Sequence, residues 1–277
     1  MELQLKSILG DALYRLFKRN GLLLVGALFV VNLVMQVGLS SLFIDTWREM
    51  WTDLATSAPE FAEAIEDPDT LFPLAMDMPE PLALGLAVIA VVLFVIVLAV
   101  AVRVFHSTDE RTIKTEFVFD NIAWVTVNLF VGMIVFGILW TVGLLLFVIP
   151  GLFVFVTLIY CIAVVAVEDR SFVAGFSRSW GLTKGHRLRI FLLFLTVWVL
   201  SIAAGVIFGL FTSFIYLASP TAGSIVDLFV NSLVTMYFAA VLALSYRALT
   251  EPDEPNADAD EPDEEEAFRF GDQPAHW

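Results

Sequence analysis

The chain has 277 residues, of which 59% are hydrophobic and 16% charged, with a net charge of −15 and a pI of about 4.4. A soluble domain carries about a quarter charged residues, and this excess of acid argues against nucleic acid, whose phosphates need Lys and Arg. Cys161 is the one cysteine, which excludes an internal disulfide and any metal-type cysteine spacing; it sits in an apolar block and reads as a small buried hydrophobe.

The apolar residues come in long blocks without the alternation of a barrel strand. In hydrocarbon every free N–H or C=O costs several kcal/mol, so such blocks cross as helices. The predicted fold is therefore an all-α integral membrane bundle with six spans, at about 21–44, 81–105, 124–149, 151–167, 190–217 and 225–249. The first block starts too late and runs too long for a cleaved signal peptide.

In chain order, an amphipathic arm comes first. Leu5, Ile8, Leu9, Ala12, Leu13, Leu16 and Phe17 share one helical face, with Lys6, Arg15 and Lys18 away from it. Such a helix is expected in the headgroup plane with its apolar face in lipid. Span one follows, and then a loop over 45–80 holding ten carboxylates. Ile44, Trp47, Trp51 and Leu54 give its start helical spacing and predict an interfacial helix. After span two, Ser107 and Glu110 form a candidate capping box ahead of Ile113 and Phe117.

Asn121 to Val167 is one charge-free run of 47 residues. As a single helix it would be about 70 Å long, against a hydrocarbon core of about 30 Å. It must fold back, and Pro150-Gly151 is the natural turn, with a turn nearer Gly143 as the alternative. Ser171 is placed to cap a short helix bearing Phe172, Val173, Phe176 and Trp180. Span five folds back into span six at Ala218–Gly223, and residues 251–277 form an acidic tail with eleven carboxylates, expected to be disordered. Three basic amphipathic segments thus each precede a pair of spans, which suggests three diverged units at 1–105, 106–167 and 168–250.

Lys6, Arg15, Lys18, Arg19, Arg103, Arg111, Lys114, Arg170, Arg178, Lys184, Arg187 and Arg189 all fall on one side, and only Arg48 on the other. The positive-inside rule makes the basic side cytoplasmic, with both termini there and the cell membrane as the site.

Ionisable residues within a bilayer usually mark function. Asp227 and Asn231 lie four residues apart on span six, and Asn32 and Gln36 four apart on span one. Together they form a candidate polar intramembrane site; the alternative is ordinary interhelical hydrogen bonding. Ser201, Gly205, Gly209 and Ser213 form a small-residue stripe on span five, expected to pack against a helix of this chain or of a second copy. The Asp67-x-Asp69 pair reads as solvated acidic loop. No HExxH, GxSxG, P-loop or dinucleotide fingerprint is present, so no catalytic, metal or cofactor residues are predicted.

One stretch, Ile149-Pro150-Gly151, an apolar span to Glu168, then Ser177-Arg178-Ser179-Trp180 and Lys184-Gly185, resembles a broad group of prokaryotic membrane proteins. The group includes YciC-like proteins and the membrane domain attached to some glycerophosphoryl diester phosphodiesterases. The likeness covers roughly residues 145–200 and implies a multi-span helical domain; the phosphodiesterase domain has no counterpart here. The acidic composition resembles that of haloarchaeal proteins.

Glu168, Arg178, Trp180 and Lys184 then form an interfacial elbow between spans four and five, able to touch lipid phosphates. The function these observations favour is a non-enzymatic component that organises or binds membrane constituents. Membrane lipids are its expected partners, and a protein partner could dock through the tail, where Phe268, Phe270 and Trp277 follow an acidic spacer. The oligomeric state stays open. The alternative is a small-solute transporter or channel working without a buried proton relay.

Overall fold

The computed structural model describes residues 5–58, 60, 67–107 and 113–251. Among them it contains α-helices and no strands. In order these are α1 (Leu5–Leu16), α2 (Arg19–Ser57), α3 (Pro68–Leu71), α4 (Glu80–His106), α5 (Thr115–Phe119), α6 (Ile122–Leu146), α7 (Val148–Leu158), α8 (Cys161–Glu168), α9 (Phe172–Thr183), α10 (Arg187–Ala218) and α11 (Pro220–Thr250). Six stretches are long and apolar enough to cross a membrane, namely α2, α4, α6, α7 with α8, α10 and α11. They match the six spans read from the sequence, and the protein is an all-helical membrane bundle.

Span boundaries differ from expectation at three places. First, α2 does not end at the membrane and restart as an interfacial helix; it continues unbroken for 39 residues, about 58 Å at 1.5 Å per residue. Nothing between Phe43 and Ser57 is Pro or Gly, so no residue there breaks the ladder. Second, the turn between spans three and four lies at Phe147, whose extended backbone (φ −164°, ψ 154°) separates α6 from α7. Pro150 sits inside the first turn of α7, where its missing N–H costs nothing. The hairpin closes tightly because Gly143 and Gly151 face each other: a Cβ on Gly143 would lie 2.9 Å from the Gly151 Cα. Third, span four is interrupted at Ile159–Tyr160. The Thr157 carbonyl beside this break accepts from the Ser179 hydroxyl at 2.7 Å.

The core lies toward the end of the bundle where the cationic residues gather. Val95, Ala99, Ala101, Val102, Tyr160, Ala163 to Ala166, Ala239 to Ala243 and Tyr246 are at most 1% exposed. The many alanines let α4, α8 and α11 approach closely, which is how helices gain contact in lipid. The opposite half is open, with Leu145, Phe147, Ile149, Phe214 and Leu217 exposed on its outer face.

The amphipathic arm packs part of its apolar face on the bundle. Ile8, Ala12 and Leu16 of α1 are buried against the bundle, and the Tyr237 hydroxyl donates to the Leu9 carbonyl at 3.4 Å. Leu13 and Phe17, from the same predicted stripe, are the ones left exposed. Likewise α9 turns Gly175, Ser179 and Thr183 inward. Of the three pre-span segments, α1 and α9 each run 12 residues whereas α5 runs five, so the units are unequal. The proposed capping box lies partly outside the described residues, which exclude Glu110; Ser107 instead closes α4, its hydroxyl donating to the Val104 carbonyl at 3.1 Å. Of the acidic tail, only Glu251 is among the described residues.

At the acidic end, Arg48 Nε donates to Asp69 at 3.1 Å and Arg48 also pairs with Asp45 at 3.2 Å. Asp67 caps α3, accepting from the Asp69 amide at 3.0 Å. The Asp67-x-Asp69 pair is thus spent on a cap and an ion pair.

Candidate functional site

The polar intramembrane residues do not converge. Asn32 is buried and donates through Nδ2 to the Ser232 hydroxyl at 3.0 Å, not to Asn231. Ser232 in turn back-bonds the Leu228 carbonyl at 2.7 Å. Gln36 donates to Ser40 on its own helix at 3.2 Å. Asn231 is exposed and Asp227 half-buried, because α11 presents Ser232, Met236, Ala239 and Ala243 to the bundle. Residues 231 and 232 are about 100° apart on a helix, so the face carrying Asp227 and Asn231 points elsewhere. Span five behaves similarly. Gly205, Gly209 and Ser213 are exposed, Ser201 is half-buried, and a Cβ on either glycine would meet nothing within 4 Å. Among the described residues, no helix packs against Gly205 and Gly209.

Of the four elbow residues, Glu168 and Arg178 come together, at the basic end. The carboxylate of Glu168, last residue of α8, is the hub. Arg170 Nε contacts its Oε2 at 2.8 Å, Arg178 Nε its Oε1 at 3.5 Å, and the Tyr246 hydroxyl donates to Oε1 at 2.5 Å. One carboxylate therefore links span four, α9 and span six. Trp180 is separate from this hub: its ring meets Phe153 edge-on at 5.6 Å. The Arg187 guanidinium lies 4.9 Å from the Trp180 centroid and 4.7 Å from that of Phe153, a cation–π contact with both rings. Lys184 closes α9, and Gly185, at φ +89°, makes the turn into α10.

Next to the hub sits a second node that the sequence reading passed over. Arg103, in the last turn of α4, is only 8% exposed. Its Nε donates to the Ala166 carbonyl, one terminal nitrogen to Phe117 (3.1 Å) and Asp120 (2.9 Å), and the other to the Asp169 carboxylate at 2.5 Å. Asp169 and Asn121 both adopt left-handed backbone conformations, at φ 53° and 50°, and their side chains meet at 3.3 Å. A guanidinium with five donors in a fixed fork is suited to such a junction. Its signal was a lone Arg at the end of an apolar run. Asn128 was missed too; its side chain accepts from the Phe172 amide at 3.1 Å and so satisfies a free donor at the start of α9. Arg15 closes span two, donating to the Phe105 and Ser107 carbonyls at 2.9 and 2.7 Å.

The basic end is thus tied together by side-chain bonds to helix termini, and α9 is held on its surface as a ledge. No curated protein and no solved structure matches the chain. A family model described as a domain of unknown function, DUF7847, matches residues 3–249, and this six-span helical chain belongs to that family.

Proposed function

We propose that this protein is a non-enzymatic component of the cell membrane that binds or organises other membrane constituents, with its basic end in the cytoplasm. The observation that carries this reading is the ledge formed by α9. It is fixed from beneath through Ser179 and Asn128, yet turns Ser177, Arg178, Trp180 and Gly181 outward. A rigid exposed element on a membrane bundle serves recognition, because little ordering entropy is lost on binding. The carrier reading has less support: Asn32 and Gln36 are each bonded to a neighbouring serine, and Asn231 faces away from the bundle.

The test is crosslinking in native membranes with an affinity tag at the N-terminus, followed by identification of what co-purifies. A discrete set of membrane proteins that is lost when α9 carries Trp180→Ala and Arg178→Ala, or when residues 251–277 are removed, supports the proposal. Recovery of the chain alone, together with solute flux in liposomes, would overturn it.

A further inference from the structure

The ledge has a charge arrangement that suggests what it binds. Glu168 is the anion of the hub and its side chain is 22% exposed, whereas Arg170 and Arg178 are 55% and 47% exposed. The carboxylate is turned in and the cations are turned out. Tyr246 takes part of Oε1, so Arg178 holds that oxygen only at 3.5 Å. Each arginine reaches Glu168 through Nε, and a guanidinium has four further N–H donors. Two cations against one anion leave the outer surface net positive.

Between these arginines runs a groove of about 440 Å³ lined by Arg170, Ala174, Ser177, Arg178, Gly181 and Leu182. It is open to solvent on one side, unlike the enclosed apolar pockets that bury most of a drug-sized ligand, and so suits a polar group held by charge. Helix geometry explains the opening. Ala174, Ser177 and Gly181 fall on one stripe of α9, and their small side chains leave the helix surface bare beside Arg178. Trp180, exposed on the flank of the same stripe, belongs at headgroup level.

We propose that this groove binds a phosphate-bearing group, with Arg170 and Arg178 as the charged donors and Ser177 as a neutral one. Arginine forks match phosphate oxygens in two-point hydrogen bonds. The ledge lies between the end of span four at Glu168 and the start of span five at Arg187, which makes the headgroup of an anionic phospholipid the fitting source, and a soluble phosphate compound the other. The proposal rests on the binding role above, and gives it a ligand.

The experiment uses the full chain in nanodiscs of phosphatidylcholine containing phosphatidylglycerol, with bound lipid counted by native mass spectrometry. A parallel arm titrates inorganic phosphate in phosphatidylcholine discs and follows Trp fluorescence. Arg178→Gln removes a donor, and it also takes one of three partners from Glu168. Gly181→Glu and Ser177→Glu keep all three partners of Glu168 in the chain: a Cβ on Gly181 meets nothing within 4 Å and Ser177 is exposed, so both place an anion in the groove without a steric clash.

Preferential retention of phosphatidylglycerol by the unaltered chain, weakened about fivefold for each unit of charge changed, supports a lipid source. A saturable phosphate response without lipid preference, lost in the same variants, supports a soluble source. No response of the unaltered chain in either arm overturns the proposal, as does lipid preference that survives both Glu substitutions. If partners still co-purify from native membranes while both arms fail, the phosphate site falls and the organising role stands.

Discussion

Arg103 offers the sharpest test of how the basic end is held. Replacing it with Met keeps much of the stem and removes all five donors. Asp169 then loses its cation, and the carbonyls of Ala166, Phe117 and Asp120 each lose a donor. Breaking a buried pair by removing one partner costs about 3–5 kcal/mol. Asp169 is 35% exposed, so water recovers part of that loss. The expected destabilisation is therefore at the low end, about 3 kcal/mol.

Arg103→Lys keeps the charge, but a single ammonium cannot span four acceptors on two segments. It should lose about half as much. Asp169→Asn preserves an acceptor and tolerates the left-handed backbone there, but it leaves the buried guanidinium without its counter-ion; three carbonyls still hold that group, so about 2 kcal/mol is expected, less than for Arg103→Met. The assay is unfolding of the purified protein in mixed micelles by a denaturing detergent, followed by Trp fluorescence. An Arg103→Met variant as stable as the parent, or an Asp169→Asn variant that costs as much as Arg103→Met, would refute this account of the junction.

A double-mutant cycle on Asn32→Ala and Ser232→Ala, read by the same unfolding assay, should give a coupling near the membrane average of about 0.6 kcal/mol. Asp227→Ala with Asn231→Ala should change stability by less than about 0.5 kcal/mol and leave solute permeability of reconstituted vesicles unchanged. Gly143→Ala must push the hairpin backbones apart and should cost about 1–3 kcal/mol, whereas Gly205→Ala and Gly209→Ala, on an open face, should be neutral or mildly stabilising in a detergent melt. With Cys161→Ala as background, a membrane-impermeant maleimide added to intact cells should label Thr56→Cys and spare Ser177→Cys; the opposite pattern would reverse the proposed orientation.

The spans were legible because their cause is local. A charge-free block longer than the bilayer has to fold back, and no distant contact can change that. Rotation about a helix axis is not local. The face carrying Asp227 and Asn231 has the same four-residue spacing as the face that is buried, and only the packing of α11 on α2 and α4 selects Ser232. The Phe147 turn escaped for a related reason, since Pro150 is equally at home as the turn itself or three residues into the next helix. The elbow was half visible. Glu168 with Arg178 followed from charge at the end of a span, and Ser171 does cap α9, accepting from the Ala174 amide at 3.5 Å. Arg103, Asn128 and Ser179 act on backbone groups of distant segments, and single polar residues beside apolar runs carry no mark of that.

The Gly143–Gly151 hairpin also bears on how the chain enters the bilayer. From Leu144 to Phe155 every residue is apolar, and Leu145 and Ile149 at the tip are 82% and 80% exposed. Pro150 brings no N–H to the tip, and the Gly151 amide already reaches the Phe147 carbonyl at 3.4 Å. The two helices can therefore slide in together as a preformed wedge, with no hydrated loop to drag through hydrocarbon. The segment between spans one and two is the opposite case: in the proposed orientation its ten carboxylates would have to be carried across as a charged cargo. In that orientation the first half of the protein would depend on the translocation machinery in a way that the third and fourth spans would not.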